Sequence, residues 1–282
     1  MLEISSSRTS WLKKGTIFLM FFVLEVMVFA ILPLSVRLSI KTLLYFHASL
    51  TAILLVATLL LRRSERGKQY WQVGYAFFVA GVAILLSVLY SGDLLKLFGL
   101  TATNPQGIAV AKLSESLWRV IAILVLMAII GADRRSLYFN KGKIGLGLAV
   151  GVVAFIVLAA IAFIPLASQE GMSNKLLSLS PWILIFVFAN AFMEELLYRG
   201  LFLKRYQPFL GSGISNLLAA IVFTLVHIQV TYVSEVFQFL LVVFPLALIW
   251  GYLMQRTDSL WGSVLFHAGA DCLIIFGIYA SM

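Results

Sequence analysis

Two adjacent carboxylates lie within an otherwise apolar stretch near the middle of the chain. Glu194 and Glu195 occur between Pro181 and Leu203, in the sequence A-N-A-F-M-E-E-L-L-Y-R-G-L. A charged side chain inside a membrane helix costs roughly 2.5–3.5 kcal/mol on insertion scales, so by default it indicates a functional site. The alternative is that a helix ends at the membrane surface here and that these charges are only solvated.

The helical period separates the roles of the two carboxylates. Glu195 and Arg199 are four residues apart, on one helix face and in the acid-then-base order that favours an ion pair. Glu194 is rotated by about 100° from Glu195 around the helix, so such a pair leaves it available for proton transfer. Asn190 lies one turn before Glu194, where it could hydrogen-bond the site or hold helices together.

Two histidines occur in the apolar spans that follow. Phe223 and His227 are four apart, and so are His267 and Asp271, so each pair shares a helix face. A single histidine in an apolar helix is more often a packing residue, but polar groups inside a membrane are expected to face a common interior. A cavity containing Glu194, His227 and His267 could activate water. It could instead bind a divalent metal such as zinc, whose catalytic sites use imidazole and carboxylate ligands.

The composition requires a membrane environment. The 282 residues are 62% hydrophobic and 12% charged, whereas soluble domains are about 45–50% apolar and 25% charged. We therefore predict an all-α fold, a polytopic transmembrane helical bundle of about nine (eight to nine) spans. The formal charge of +9 reflects membrane orientation rather than a nucleic-acid partner, because the basic residues fall between apolar runs. A single cysteine excludes a disulfide framework.

Nine apolar runs are long enough to cross a hydrocarbon core of about 30 Å. They cover about 16–36, 39–61, 70–91, 111–131, 144–166, 181–203, 213–231, 236–254 and 259–280. Basic residues concentrate in the N-terminal head and in alternate loops, which predicts a cytoplasmic N-terminus. Short loops favour an integral protein of a bacterial cytoplasmic membrane. Glu25, in the first run, could line a substrate path or pair with a basic residue on a neighbouring helix.

Three motifs in this order resemble those of a known family. Glu-Glu-x-x-x-Arg at 194–199, Phe-x-x-x-His at 223–227 and His-x-x-x-Asp at 267–271 resemble the motifs of the CAAX protease and bacteriocin-processing (CPBP) family. These intramembrane glutamic endopeptidases are also called the type II CAAX prenyl protease or Abi family. The resemblance covers about residues 181–275. We predict N-terminal transmembrane helices of unassigned role over 1–140 and a catalytic helical core over 141–282.

The resemblance implies an enzyme that cleaves peptide bonds near or within the bilayer without a cofactor. Glu194 would be the general base that activates water, and His227 would assist it. Glu195 and Arg199 would be structural or orienting partners, with Phe223 and Asn190 as further supporting residues. If a divalent metal such as zinc is bound instead, Glu194, His227 and His267 would be its ligands.

The last motif leaves one role open. His267 and Asp271 would complete the site and stabilise the tetrahedral oxyanion, but relatives of this family carry Asn or Asp at the position of Asp271. An ionised carboxylate cannot donate a hydrogen bond to an oxyanion. Either Asp271 is protonated, or it orients His267, or the donor lies elsewhere. By counting along the spans, His227 lies nearer the outer face than Glu194. If they share a site, residues 204–213 must dip into the membrane, or the helix of His227 must tilt or start deeper.

The expected partners are the lipid bilayer and a membrane-bound protein or peptide substrate. Two other functions remain open: a non-catalytic membrane scaffold or self-immunity protein with the same fold, and a secondary transporter. A transporter would use Glu25, Glu115 and Glu194 as proton relays, but the lack of a repeated half disfavours it. The spacing of Glu115 and Arg119 instead predicts an ion pair within one helix.

Overall fold

The computed structural model describes residues 2–30, 39–228 and 230–282, with side chains from residue 11 onward. The regular elements in these ranges are helical. In chain order, the α-helices are α1 (Leu2–Glu25), α2 (Ile40–Arg63), α3 (Trp71–Tyr90), α4 (Asp93–Phe98), α5 (Pro105–Ile129), α6 (Ile144–Ala167), α7 (Met172–Ser178), α8 (Ser180–Glu194), α9 (Leu203–Leu210), α10 (Ser212–Val226), α11 (Val236–Thr257) and α12 (Trp261–Ser281). Short π-helical segments follow α1 (Val26–Ala30) and α8 (Glu195–Gly200), and 3₁₀ turns occupy Lys68–Tyr70 and Arg134–Leu137.

Several of these helices can cross a membrane. Within the described ranges, six helical stretches are long and apolar enough by length and composition. They are Ile40–Arg63, Lys68–Phe98, Ile144–Ala167, Ser180–Leu210, Val236–Thr257 and Trp261–Ser281. The chain is therefore an integral membrane protein with an all-helical fold, as its sequence predicts.

The number of spans stays a prediction, because three of the nine predicted runs are not among these six. The run 16–36 begins in α1, and its residues 31–36 lie outside the described residues. The run 111–131 corresponds to α5, which carries three charged side chains, Lys112, Glu115 and Arg119. The run 213–231 corresponds to α10, which has 15 residues and is about 22 Å long, and residue 229 lies outside the described residues.

The chain forms two compact units. The first contains Met1–Gly81 and Phe202–Gly251, and the second contains Val82–Leu201 and Tyr252–Met282. These units do not follow the predicted division at residue 140, which concerns function rather than compactness and stays a prediction. The second unit holds both carboxylates of the first motif and the whole of the last motif.

In the second unit, α12 packs along α6 and α8, and α5 packs against α8. Glycines allow the close approach of α12 to α6. A Cβ atom on Gly262 would collide with the backbone of Gly147, and a Cβ atom on Gly269 would lie 2.6 Å from the Cα atom of Phe155. Small residues at such contacts let membrane helices pack backbone to backbone, and this contact fixes the helix that carries the last motif.

In the first unit, an aromatic cluster surrounds Glu25. The ring of Tyr206 stacks on Phe21 with centroids 4.7 Å apart and lies 6.4 Å from Phe77. The Tyr206 hydroxyl donates to Glu25 Oε1 at 2.9 Å, and Glu25 is 2% exposed. The expectation that Glu25 pairs with a basic residue is therefore corrected: the partner is a phenol, which suits an aromatic cluster because it brings no second charge.

Candidate active site

The two motif carboxylates lie where the helix changes its winding. Glu194 is the last residue of α8, and Glu195 begins the π-helical segment Glu195–Gly200. Such π-helical turns inside α-helices occur frequently at functional sites. The sequence predicts a regular helix here, so the change of winding is a feature that periodicity did not reveal.

Glu195 forms a buried ion pair with Arg199, as their spacing predicts. Arg199 Nη1 lies 2.7 Å from Glu195 Oε1, and both side chains are 0% exposed. The Ser263 hydroxyl donates to Glu195 Oε2 at 2.6 Å, and His267 Nδ1 lies 2.9 Å from Oε1. Buried charges are tolerated when they are both paired and hydrogen-bonded, and Glu195 satisfies both conditions.

The Glu195 carboxylate orients the imidazole of His267. Because this carboxylate pairs with a guanidinium and acts as an acceptor, His267 Nδ1 is the donor between them. In a neutral imidazole the other nitrogen, Nε2, then carries the lone pair. Nε2 lies 3.4 Å from Glu194 Oε2 and 3.6 Å from Asp271 Oδ1. Three groups able to take or share a proton thus converge at one point.

Asn190 holds the far side of this cluster. Its Nδ2 atom donates to Asp271 Oδ2 at 3.0 Å, so it contacts the last motif rather than Glu194 directly. The side chains of Glu194 and Asp271 are 13% and 12% exposed, in contrast to the fully buried Glu195 and Arg199. The cluster therefore has a closed side built by the ion pair and an accessible side formed by Glu194 and Asp271.

Phe223 and His227 belong to the first unit. His227 directly follows the last residue of α10, and its Nδ1 atom lies 2.7 Å from the carbonyl oxygen of Phe223. The two rings pack with centroids 4.5 Å apart. A carbonyl only accepts, so Nδ1 donates and a neutral His227 keeps the lone pair on Nε2. That His227 acts together with Glu194 stays a prediction.

The metal alternative concerns Glu194, His227 and His267. Among the residues that the structure describes, no group of three or more His, Cys, Asp or Glu side chains is arranged to hold a metal ion. His267 uses Nδ1 for Glu195, so Nε2 is the nitrogen it could offer to a ligand or to a proton.

A second ion cluster braces α8 beside the site. Glu115 Oε1 lies 2.6 Å from Arg119 Nη2, which confirms the pair that their spacing predicts, and Glu115 Oε2 lies 2.7 Å from Lys112 Nζ. Arg119 also donates to the sulfur of Met193 at 3.4 Å. Since Met193 directly precedes Glu194, this contact ties α5 to the end of α8. Glu115 is thus held by two cations, which does not favour a proton-relay role.

One contributor to the site was missed in the sequence. Ser263 precedes His267 by four residues, so both face Glu195 from the same side of α12. The same spacing rule that groups His267 with Asp271 extends one turn back to Ser263. A serine in an apolar helix is an ambiguous signal by itself, because it often only bonds to its own helix backbone.

The comparison with known protein families finds a match for the part of the chain that carries the motifs. Residues 176–273 match the family described as Type II CAAX prenyl endopeptidase Rce1-like. This range contains all three motifs and agrees with the stretch that carries the resemblance. Neither the search of curated proteins nor the search of solved structures finds a match for this chain.

Proposed function

We propose that this membrane protein is a glutamic-type endopeptidase, because residues 176–273 match the family described as Type II CAAX prenyl endopeptidase Rce1-like. It hydrolyses a peptide bond in a membrane-associated protein or peptide, either a lipidated chain or a precursor. The family match supports the kind of reaction. The convergence of Glu194 and Asp271, both partly exposed, on His267 Nε2 is the single observation that supports the assignment of residues.

Glu194 is the general base of this proposal. Its carboxylate takes a proton from a water molecule while the water oxygen adds to the scissile carbonyl carbon. The same carboxyl group then gives the proton to the departing amine as the carbon–nitrogen bond breaks, so atoms and charges balance over one turnover. General acid–base catalysis of this kind contributes typically ~10²–10⁴-fold in rate. The partial exposure of Glu194 allows water to reach it.

Glu195 and Arg199 are positioning residues. Neither side chain is exposed, so substrate does not touch them in this proposal. Glu195 fixes His267 through Nδ1, and Arg199 balances the charge of Glu195. The imidazole of His267 is therefore already oriented when a proton or an oxyanion comes near Nε2. This orientation lowers the free-energy cost of reorganising the site during the reaction.

In this proposal Asp271 is an ionised carboxylate, which cannot donate a hydrogen bond to the oxyanion. Its role is therefore to orient the reacting groups. Asn190 holds one of its oxygens, and the other faces His267 Nε2. The oxyanion donor in this proposal is His267 in its protonated form, in which Nε2 also carries a hydrogen, and His227 of the second motif assists Glu194. An Asp271→Asn variant supplies an amide donor at this position, so retained cleavage would favour direct donation and lost cleavage would favour orientation.

The endopeptidase proposal is tested in cells by comparing wild type with Glu194→Ala at equal expression. Membrane and secreted peptides are measured by mass spectrometry. We expect a precursor that stays uncut only in the variant, which would identify the substrate at the same time. Identical peptide profiles together with an unchanged phenotype would contradict proteolysis and favour the non-catalytic scaffold.

We further propose that catalysis needs no metal. The purified enzyme, tested on the precursor found in cells, is expected to keep its rate after treatment with EDTA or 1,10-phenanthroline. Loss of activity on chelation, followed by recovery when Zn²⁺ is restored, would show that a metal is required and would contradict the glutamic mechanism.

A further inference from the structure

A basic cavity in the first unit lies among α1, the start of α3 and α9. Its volume is about 410 Å³, within the usual range for a small-molecule site, and four cationic side chains line it: Lys13, Lys14, Lys204 and Arg205. None of the described residues that line it is acidic. The cavity therefore selects for a negatively charged occupant.

The cavity walls combine charge with apolar surface. Arg205 is only 8% exposed, whereas Lys13 is exposed and Lys14 and Lys204 are half-buried, so the positive charge extends from the protein surface inward. Ile17 and Phe209 supply apolar surface, and the Phe209 ring stacks on Tyr70 at 4.8 Å. An occupant that joins an anionic head to an apolar body matches both kinds of wall.

The position of the cavity identifies the source of such an occupant. The N-terminal head, the turn before α3 and the segment at 204–205 all belong to the basic side predicted to face the cytoplasm. Basic pockets between membrane helices at that face bind the headgroups of anionic phospholipids. We propose that this cavity binds the phosphate headgroup of an anionic glycerophospholipid of the membrane, with the cations on the phosphate oxygens and the acyl chains toward the apolar wall.

The test uses the full-length protein, purified in detergent and stripped of lipid. Native mass spectrometry measures retention of dioleoylphosphatidylglycerol and of dioleoylphosphatidylcholine, and inorganic phosphate is added as a competitor in a separate arm. We expect the anionic lipid to be retained at least about 25-fold more than the zwitterionic one, the preference that two of the cavity cations alone would give. Each cation near a membrane surface contributes about a fivefold factor in binding, so Lys13→Gln/Lys14→Gln should weaken retention by about 25-fold.

A matched variant separates this cavity from general surface charge. Arg63→Gln/Arg66→Gln removes two exposed cations of the same unit and the same predicted face that do not line the cavity, and it should leave retention unchanged. Equal retention of both lipids by the wild type, or equal losses in both variants, would overturn the proposal. Displacement of the lipid by millimolar inorganic phosphate would show a free-anion site and would also overturn it. The readout is lipid binding, so it is independent of peptide cleavage.

Discussion

Two buried glutamates, one in each unit, show how the same residue type is accommodated in different ways. Glu195 in the second unit is held by a guanidinium, a hydroxyl and an imidazole. Glu25 in the first unit is held through Oε1 by the single phenol of Tyr206. The carboxylate of Glu195 has a cationic partner and a histidine, so it belongs to a network that orients a candidate catalytic side chain. The carboxylate of Glu25 has a phenol in an aromatic cluster, which only satisfies a buried acceptor.

This difference explains why burial alone is a poor guide to function in a membrane protein. Both carboxylates are nearly or fully inaccessible to solvent. A charged side chain in an apolar environment is costly in free energy, so this criterion alone would indicate a functional site at both positions. The informative features are the number and type of partners and the neighbouring accessible groups. Glu195 is connected through His267 to the 13% exposed side chain of Glu194. Among the residues that the structure describes, Glu25 bonds to Tyr206, which has no titratable side chain of a catalytic type behind it in the aromatic cluster.

The largest loss of stability is expected on breaking the buried ion pair. Arg199→Ala leaves the Glu195 charge buried without its cation, and removing one partner of a buried pair costs about 3–5 kcal/mol. Thermal unfolding in detergent would measure this loss. The double variant Glu195→Gln/Arg199→Leu removes both charges and should recover part of the stability. A single variant as stable as the wild type would contradict the pairing.

Ser263→Ala is expected to have an intermediate effect. It removes a hydrogen bond to a charged acceptor, which is worth about 1.5–3 kcal/mol, and it loosens the carboxylate that positions His267. We expect kcat to fall while KM changes little, because Ser263 is buried and does not meet substrate. Ser263→Thr keeps the hydroxyl and should restore activity. If KM rose instead, Ser263 would act in substrate binding rather than in positioning.

Tyr206→Phe is expected to have the smallest effect on cleavage. It leaves the buried Glu25 Oε1 without its donor, which should cost about 1–3 kcal/mol of stability, while peptide cleavage stays at the wild-type rate. Chemical denaturation and a cleavage assay, run on the same preparation, would check both expectations. A large loss of cleavage without a loss of stability would give the Glu25 cluster a catalytic role and remove the contrast between the two units.

Much of the site could be predicted because helical spacing is local. Four-residue spacing predicted the pairs Glu195–Arg199 and Glu115–Arg119, and both are present. The contact between Asn190 and Asp271 joins two helices 81 residues apart. Periodicity within one helix cannot predict which residues of another helix it meets, because that depends on how the helices pack.

The limits of sequence reasoning have physical causes too. The π-helical turn at Glu195–Gly200 differs from an α-helix by one hydrogen-bond register, which the hydrophobic pattern does not encode. The span count depends on α5 and α10. The charged residues of α5 lower its hydropathy although they pair with one another, and α10 has only 15 residues. The pairing of Glu25 with Tyr206 was not predicted, because a tyrosine carries no charge and a charge pattern in the sequence therefore does not identify it as a partner.

The most direct test is the kinetics of Glu194→Gln on the precursor identified in cells, with Glu25→Gln as the matched control. Both substitutions remove one buried or half-buried carboxyl group and keep its size, so both proteins should fold. We predict that kcat/KM falls by ~10²–10⁴-fold for Glu194→Gln, the contribution of a general base, and stays within about twofold for Glu25→Gln. Equal rates for wild type and Glu194→Gln would contradict the assignment of Glu194 as the catalytic carboxylate.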